Sequence, residues 1–276
     1  MFAAAILAGS GAQTYAAGPA VSGVNGKIEF DAGVLSVGAT PSYMLRGAGS
    51  LALPLGEQFG FQADVTLATG SSFGNSAAAH LFTRDPDSHL LGATFGFASM
   101  PGAMVFAAGP EAEFYYGRFS VEAWGGIAHT NYSDPGNPDQ TGVFAMGDLA
   151  YYPEDDWRLD AGLSLLAGHV TAHVGSEYLL HDFPEPVSLA FDARVGSDGS
   201  IGATAGIKVY LGGGDKSLIE RHRQDDPQNR GSTLSEATGS VLKASHGDGG
   251  EEVPVCDFDE YYDPETNTCI YQGPDP

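Results

Sequence analysis

Between residues 200 and 211 the chain changes character at every step. Ile201, Ala203, Ala205, Ile207, Val209 and Leu211 fall on one side, and Ser200, Gly202, Thr204, Gly206, Lys208 and Tyr210 on the other. Side chains of an extended chain alternate between faces, so this is a strand whose two sides meet different surroundings. The segment before it does the same, with Val187, Leu189, Phe191, Ala193 and Val195 opposed to Ser188, Asp192 and Arg194. So do Phe59, Phe61, Ala63, Val65 and Leu67 against Gln62, Asp64 and Thr66. A soluble sandwich buries the apolar side. A membrane barrel turns it outward, and among strand structures only a closed ring hides every backbone group from lipid.

The pattern predicts about twelve strands, over 26–38, 46–55, 58–68, 75–84, 89–99, 104–116, 118–130, 142–152, 157–167, 169–180, 186–196 and 200–211, with ten as the alternative count. Each is near the length a tilted spanning strand needs. Turn chemistry separates them, as in Asp85-Pro86-Asp87-Ser88, Pro153-Glu154-Asp155-Asp156 and Ser197-Asp198-Gly199. The fold class is therefore all-β, a closed antiparallel up-and-down transmembrane barrel over 22–212. An even strand count puts both barrel ends on one side, the periplasm. The long connection around 131–141 then lies outside the cell. Tyr115, Tyr116, Tyr132, Tyr151, Tyr152, Trp157, Tyr178 and Tyr210, near strand ends, suit interfacial girdles.

The formal charge of −23 excludes the basic footprint that nucleic-acid binding requires. Residues 1–16 read as a secretory signal, with an apolar stretch Ala3–Ala8 and Thr14-Tyr15-Ala16 before the cleavage point. That stretch lacks a basic leader, so a start upstream of Met1 stays open. Ser10 stands where a lipoprotein would carry cysteine, which excludes a lipid anchor there.

After Leu211 the composition shifts. Residues 216–227 allow one or two helical turns stopped by Pro227, and 228–250, rich in Ser, Gly and Thr, reads as disordered. No Lys or Arg follows Lys243, so 213–276 is expected to be a flexible acidic tail in the periplasm. Cys256 and Cys269, an even pair around turn residues in an exported chain, read as a disulfide closing a hairpin over 256–269. A calcium loop fails there, because Tyr262 replaces the required glycine and Thr268 the bidentate glutamate.

The alternating strands from 26 to 211 behind a signal-like leader resemble Gram-negative outer-membrane β-barrels of the porin-like superfamily. The stretch Gly206–Gly212, followed by Lys216–Pro227, is similar to barrels of the alphaproteobacterial type. The resemblance covers about two thirds of the chain and implies a fold rather than a substrate. It implies outer-membrane lipid, lipopolysaccharide and the barrel-assembly machinery as partners, besides any periplasmic partner of the tail. One departure is that no terminal Phe follows Leu211; a tail intervenes.

Outward apolar faces turn Lys27, Glu29, Asp31, Asp64, Arg84, Glu111, Glu113, Glu122, Asp148, Arg158, Asp160, Glu177, Asp192, Arg194 and Lys208 into the lumen. Solvated single charges would mean an open channel, and paired charges a narrow barrel filled by side chains. Acids outnumber bases, so an open pore should prefer cations. The expected function is a passive, weakly cation-preferring pore for small solutes. The alternatives are a sealed structural barrel and a secreted β-sandwich binding module. Enzyme readings fail. His80, His169 and His173 are followed at two residues by Phe82, Thr171 and Gly175, not by the serine of an outer-membrane phospholipase. A metal on His169 and His173 needs Glu177 as third ligand. No catalytic residue, metal or cofactor is expected.

Overall fold

Each alternating segment becomes a strand. The computed structural model describes residues 18–37, 40–70, 74–133, 136–247, 260–263 and 268–271. Twelve strands form the wall: β1 (Asn25–Val37), β2 (Thr40–Leu55), β3 (Phe59–Gly70), β4 (Gly74–Asp85), β5 (His89–Met100) and β6 (Ala103–Tyr116), then β7 (Phe119–Tyr132), β8 (Gln140–Glu154), β9 (Trp157–Leu166), β10 (His169–Leu180), β11 (Val187–Gly196) and β12 (Ile201–Leu211). Every strand pairs antiparallel with its neighbours in the chain, and β1 closes on β12 with Ile28 opposite Val209 and Phe30 opposite Ile207. The ten-strand count is thereby excluded. So is the β-sandwich, since the wall is one closed sheet. The largest difference at a strand boundary is at β2, which begins six residues early. Pro41 and Ser42 interrupt the alternation there, yet still pair with Ser36 and Leu35.

The polarity of this ring is inverted relative to a soluble protein. Phe30 and Val65 are each 58% exposed on the outside, with Leu45, Leu67, Phe95, Ile127 and Leu163 also exposed. Gln62 and His80 are fully buried inside, and Asp64, Thr66 and Arg158 are buried as well. No soluble core is built this way, because apolar surface left in water costs about 25 cal/mol per Å². The ring's natural solvent is lipid. Trp157, Tyr116, Tyr151 and Tyr178 join this outer face near the mouth where β1 begins and β12 ends, called the near mouth below. Tyr115, Tyr152 and Tyr210 do not join the girdle. They are buried in the lumen, being one residue out of phase with their exposed neighbours.

The chain after β12 departs most from expectation. Gly212, Gly213 and Gly214 take φ values of 81°, 75° and 65°, a left-handed run that suits glycine, and turn the backbone back across the near mouth. Helix α1 (Leu218–Gln224) follows, then α2 (Arg230–Gly247). The short helix before Pro227 agrees with the sequence. The disorder expected over 228–250 does not hold for 230–247, which are helical, with Arg230, Leu234 and Thr238 fully buried; 248–250 lie outside the described residues. Nor does the first half of the tail hang free: it enters the barrel. A final hairpin pairs β13 (Glu260–Asp263) with β14 (Thr268–Tyr271). The signal segment 1–16 and Cys256 lie outside the described residues, so the cleavage point and the Cys256–Cys269 bridge remain expectations.

Candidate functional site

The lumen is the site, and its occupant is the chain itself. Helix α1 caps the near mouth. Its Leu218 packs with Tyr152, Tyr210, Leu179 and Ala150, and the Leu218 N–H donates to Asp156 of the β8–β9 turn at 3.1 Å. His222 sits between two inward tyrosines, 2.9 Å from the Tyr152 hydroxyl through Nδ1 and 3.0 Å from the Tyr210 hydroxyl through Nε2. Tyr210 donates to Glu177 at 2.6 Å, so its oxygen is free to accept from Nε2–H while Tyr152 donates to Nδ1. That chain of donors uses a neutral imidazole. Burial pushes His222 well below its ordinary 6.5, with nearby Arg158, Lys27 and Lys208 adding to the effect and Glu177 opposing it.

The link between the helices is tied to the wall. The Lys27 ammonium donates to the Pro227 carbonyl at 2.8 Å, and the Gln62 amide reaches the same oxygen at 3.2 Å. Asp225 accepts from Lys216 at 2.6 Å and from the Ser22 hydroxyl, which fastens the segment before β1 to the linker. Asp226 is buried beside Asp225, and burial raises its carboxyl to about 7.

Helix α2 then leans on the β3–β5 wall. Small residues make its berth. A Cβ at Gly96 would stand 3.2 Å from the Ala77 carbonyl oxygen and 3.4 Å from both Ala78 and Leu234, so anything larger than a methyl group there would press on the helix. Leu234 and Ala237 join Ala98, Val105, Ala107, Trp124, Phe144 and Met146 in one apolar cluster, with the Trp124 and Phe144 rings edge-to-face at 4.7 Å. Around this patch the contacts are ionic and polar. The Arg230 N–H donates to Asp64 at 2.9 Å, and its guanidinium lies 3.5 Å from Glu111. His80 bridges Asp64 at 2.7 Å and Glu111 at 3.1 Å. Ser232 meets Thr66 at 2.9 Å, and Ser76 donates to the Gly231 carbonyl at 2.7 Å. Further along, Glu236 is held by Arg46 and by Arg194, the latter at 3.0 Å.

The fifteen lumen-charge candidates are all buried or largely buried on this inner side. Asp64 and Glu111 hold the start of α2, and Lys27 the linker. Glu29 is also buried, and Asp31 pairs with Arg46 at 2.8 Å. Arg158 lies 3.3 Å from both Glu122 and Asp160, Arg194 is 2.6 Å from Asp192, and Lys208 is 2.8 Å from Glu177. Asp148 pairs with His173 at 2.9 Å, and Glu113 accepts from Tyr115 at 2.7 Å. Arg84 stacks over the Phe82 ring at 5.0 Å. Pairing dominates over isolated charge. His173 is thereby engaged with Asp148 while Glu177 is engaged with Lys208, so the His169, His173 and Glu177 trio does not converge. Among the described residues no cluster of three or more His, Cys, Asp or Glu is placed to hold a metal.

The helices do not fill the ring. A cleft of about 180 Å³ remains along the opposite wall, reaching from His222 and Asp226 past Asp148, Arg158 and Lys208 to Arg194 and Glu236. A second cavity of about 370 Å³ opens where α2 meets the far mouth, lined by Val34, Tyr43, Met44, Met100, Pro101 and Ala203. Sequence reading missed Arg46, His80, Arg221, His222, Arg230 and Glu236 as lumen residues. The available signal was on the wall: Trp124, Phe144 and Met146 are large apolar residues in phase with the polar side, and such residues need a packing partner.

A closed ring with an apolar outside, a charged inside and strand ends meeting at one mouth settles the architecture. The chain is a closed β-barrel of the transmembrane type. No family model and no curated protein matches the sequence. Among solved structures the barrel is similar to the KdgM porin in complex with disordered oligogalacturonate, with 13% identity, TM-score 0.48, and 66% of this chain and 98% of that one covered. It is similar also to an outer membrane channel from Pseudomonas putida F1, at 12% identity and TM-score 0.48, covering 74% and 99%. The translocator domain of the autotransporter NalP from Neisseria meningitidis is similar at 14% identity and TM-score 0.41, covering 68% and 87%.

Proposed function

We propose that this outer-membrane barrel is a porin-like channel held in a low-conducting state by its own C-terminal segment, and that it passes small cations in preference to anions. The observation that carries the reading is the cleft left beside α2, whose lining reaches from His222 and Asp226 to Arg194 and Glu236. Carboxylates outnumber cationic groups along it: Glu29, Asp31, Glu122, Asp148, Asp160, Glu177, Asp192 and Glu236 face Lys27, Arg46, Arg158, Arg194 and Lys208. An acidic ring of this kind attracts cations. Conduction through so narrow a space is small while α2 is seated.

The test is planar-bilayer recording on the full-length protein carrying a protease site inserted between Gly214 and Asp215, where the backbone has room. Small unitary steps are expected before cleavage, and a several-fold rise after it, with reversal potentials in a salt gradient on the cation side. Anion selectivity, or a conductance that cleavage leaves unchanged, would contradict the reading. The sealed structural barrel is favoured by the dense pairing of Arg230, Asp64, His80 and Glu111. It predicts no steps either before or after cleavage.

A further inference from the structure

The path of α2 assigns a second role to the barrel. Its contacts climb the wall in order. Asn229 meets Ser50 and Arg230 meets Asp64 on the near half of β2 and β3. Ser232 then meets Thr66, and Glu236 meets Arg46 and Arg194, toward the far end of their strands. Gly239 lies beside Met100, the last residue of β5 at the far mouth. The helix continues unbroken for eight more residues, to Gly247. At 1.5 Å per residue that adds about 12 Å of helix beyond Gly239. The near mouth is closed behind it by α1 and by the ties of Lys27 and Asp225.

We infer that α2 is a stalk that carries the C-terminal residues through the barrel, and that the acidic hairpin β13–β14 is displayed on the face opposite the strand ends. With the strand ends in the periplasm, that face is the cell surface. This display role is separate from conduction, because a sealed barrel serves it as well as a channel does.

The experiment places three epitope tags, one per variant, in the otherwise intact chain: after Pro276, within the β7–β8 connection at the far mouth, and in the β8–β9 turn at the near mouth. Heat-modifiable migration on gels confirms that each variant is folded before it is scored. Antibody is applied to intact cells and to cells with a permeabilised outer membrane. The C-terminal and β7–β8 tags should both be reached in intact cells, and the β8–β9 tag only after permeabilisation. A C-terminal tag that is not reached in intact cells while the β7–β8 tag is, or one that follows the β8–β9 tag in any orientation, would overturn the proposal. Bilayer conductance has no bearing on this outcome, so its failure and that of the channel reading are told apart.

Discussion

Buried single residues set how firmly the lumen is held. Arg230 faces Glu111, with Asp64 at its own backbone N–H. Replacing it by Gln keeps polarity and the backbone bond to Asp64 but removes the charge facing Glu111, which is left to His80 alone. Breaking one partner of a buried pair costs about 3–5 kcal/mol. Arg230→Gln should therefore make α2 readily cleaved by protease in detergent-solubilised barrel, while wild type resists. Equal resistance would show that the apolar contacts of Leu234 alone hold the helix. His222 gives a pH dependence with a definite sign. Its folded value lies below the ordinary 6.5, so the unfolded or undocked segment binds the proton more readily. The docked α1 keeps this contribution above pH 6.5 and loses it as pH falls below that value. Asp226, raised to about 7 in the same segment, acts with the opposite sign, so the His222 contribution is read by difference: on acidification from about pH 7 to 5, protease protection of residues 216–226 should fall further in wild type than in His222→Gln, and identical pH slopes in the two would refute the assignment.

At the scale of elements, the helix and the wall are fitted by size. Gly96 admits Leu234, so Gly96→Val should expel α2 without breaking the β4–β5 ladder, in which Gly96 pairs with Ala78 through the backbone. The expected result is a larger unitary conductance from a barrel that still migrates as folded. A folded barrel with unchanged conductance would mean that α2 shifts to accommodate the side chain. This fit also explains what the sequence disclosed. The strands were legible because a period of two repeats along most of residues 26–211, and each strand must satisfy it independently of the others. Helix α2 was not, because its stabilisation comes from outside itself. Residues 230–247 hold few large apolar side chains, and among their buried polar ones Ser232 meets Thr66 of the wall while Thr238 bonds back to the Leu234 carbonyl. Rules for disorder weigh apolar content, which is the wrong quantity for a helix whose cradle is charged. Parity puts the wall's charged residues on the face opposite its apolar ones, whereas their partners on α1 and α2 carry no such periodic signal.

For the whole molecule, wall and occupant are separable. All twelve strand pairings, including β1 with β12, are made without any residue after Leu211. A chain truncated after Gly214 should still insert and show heat-modifiable migration. Failure to insert would show that the tail takes part in assembly. The glycine run from Gly212 to Gly214 then acquires a meaning beyond geometry. It joins the occupant to its receptor by a few residues, so binding within the lumen is unimolecular, at an effective concentration on the order of millimolar for short flexible linkers. Dilution cannot empty such a barrel. Severing one peptide bond in that run turns the same helix into a diffusible ligand, whose occupancy falls as the protein is diluted.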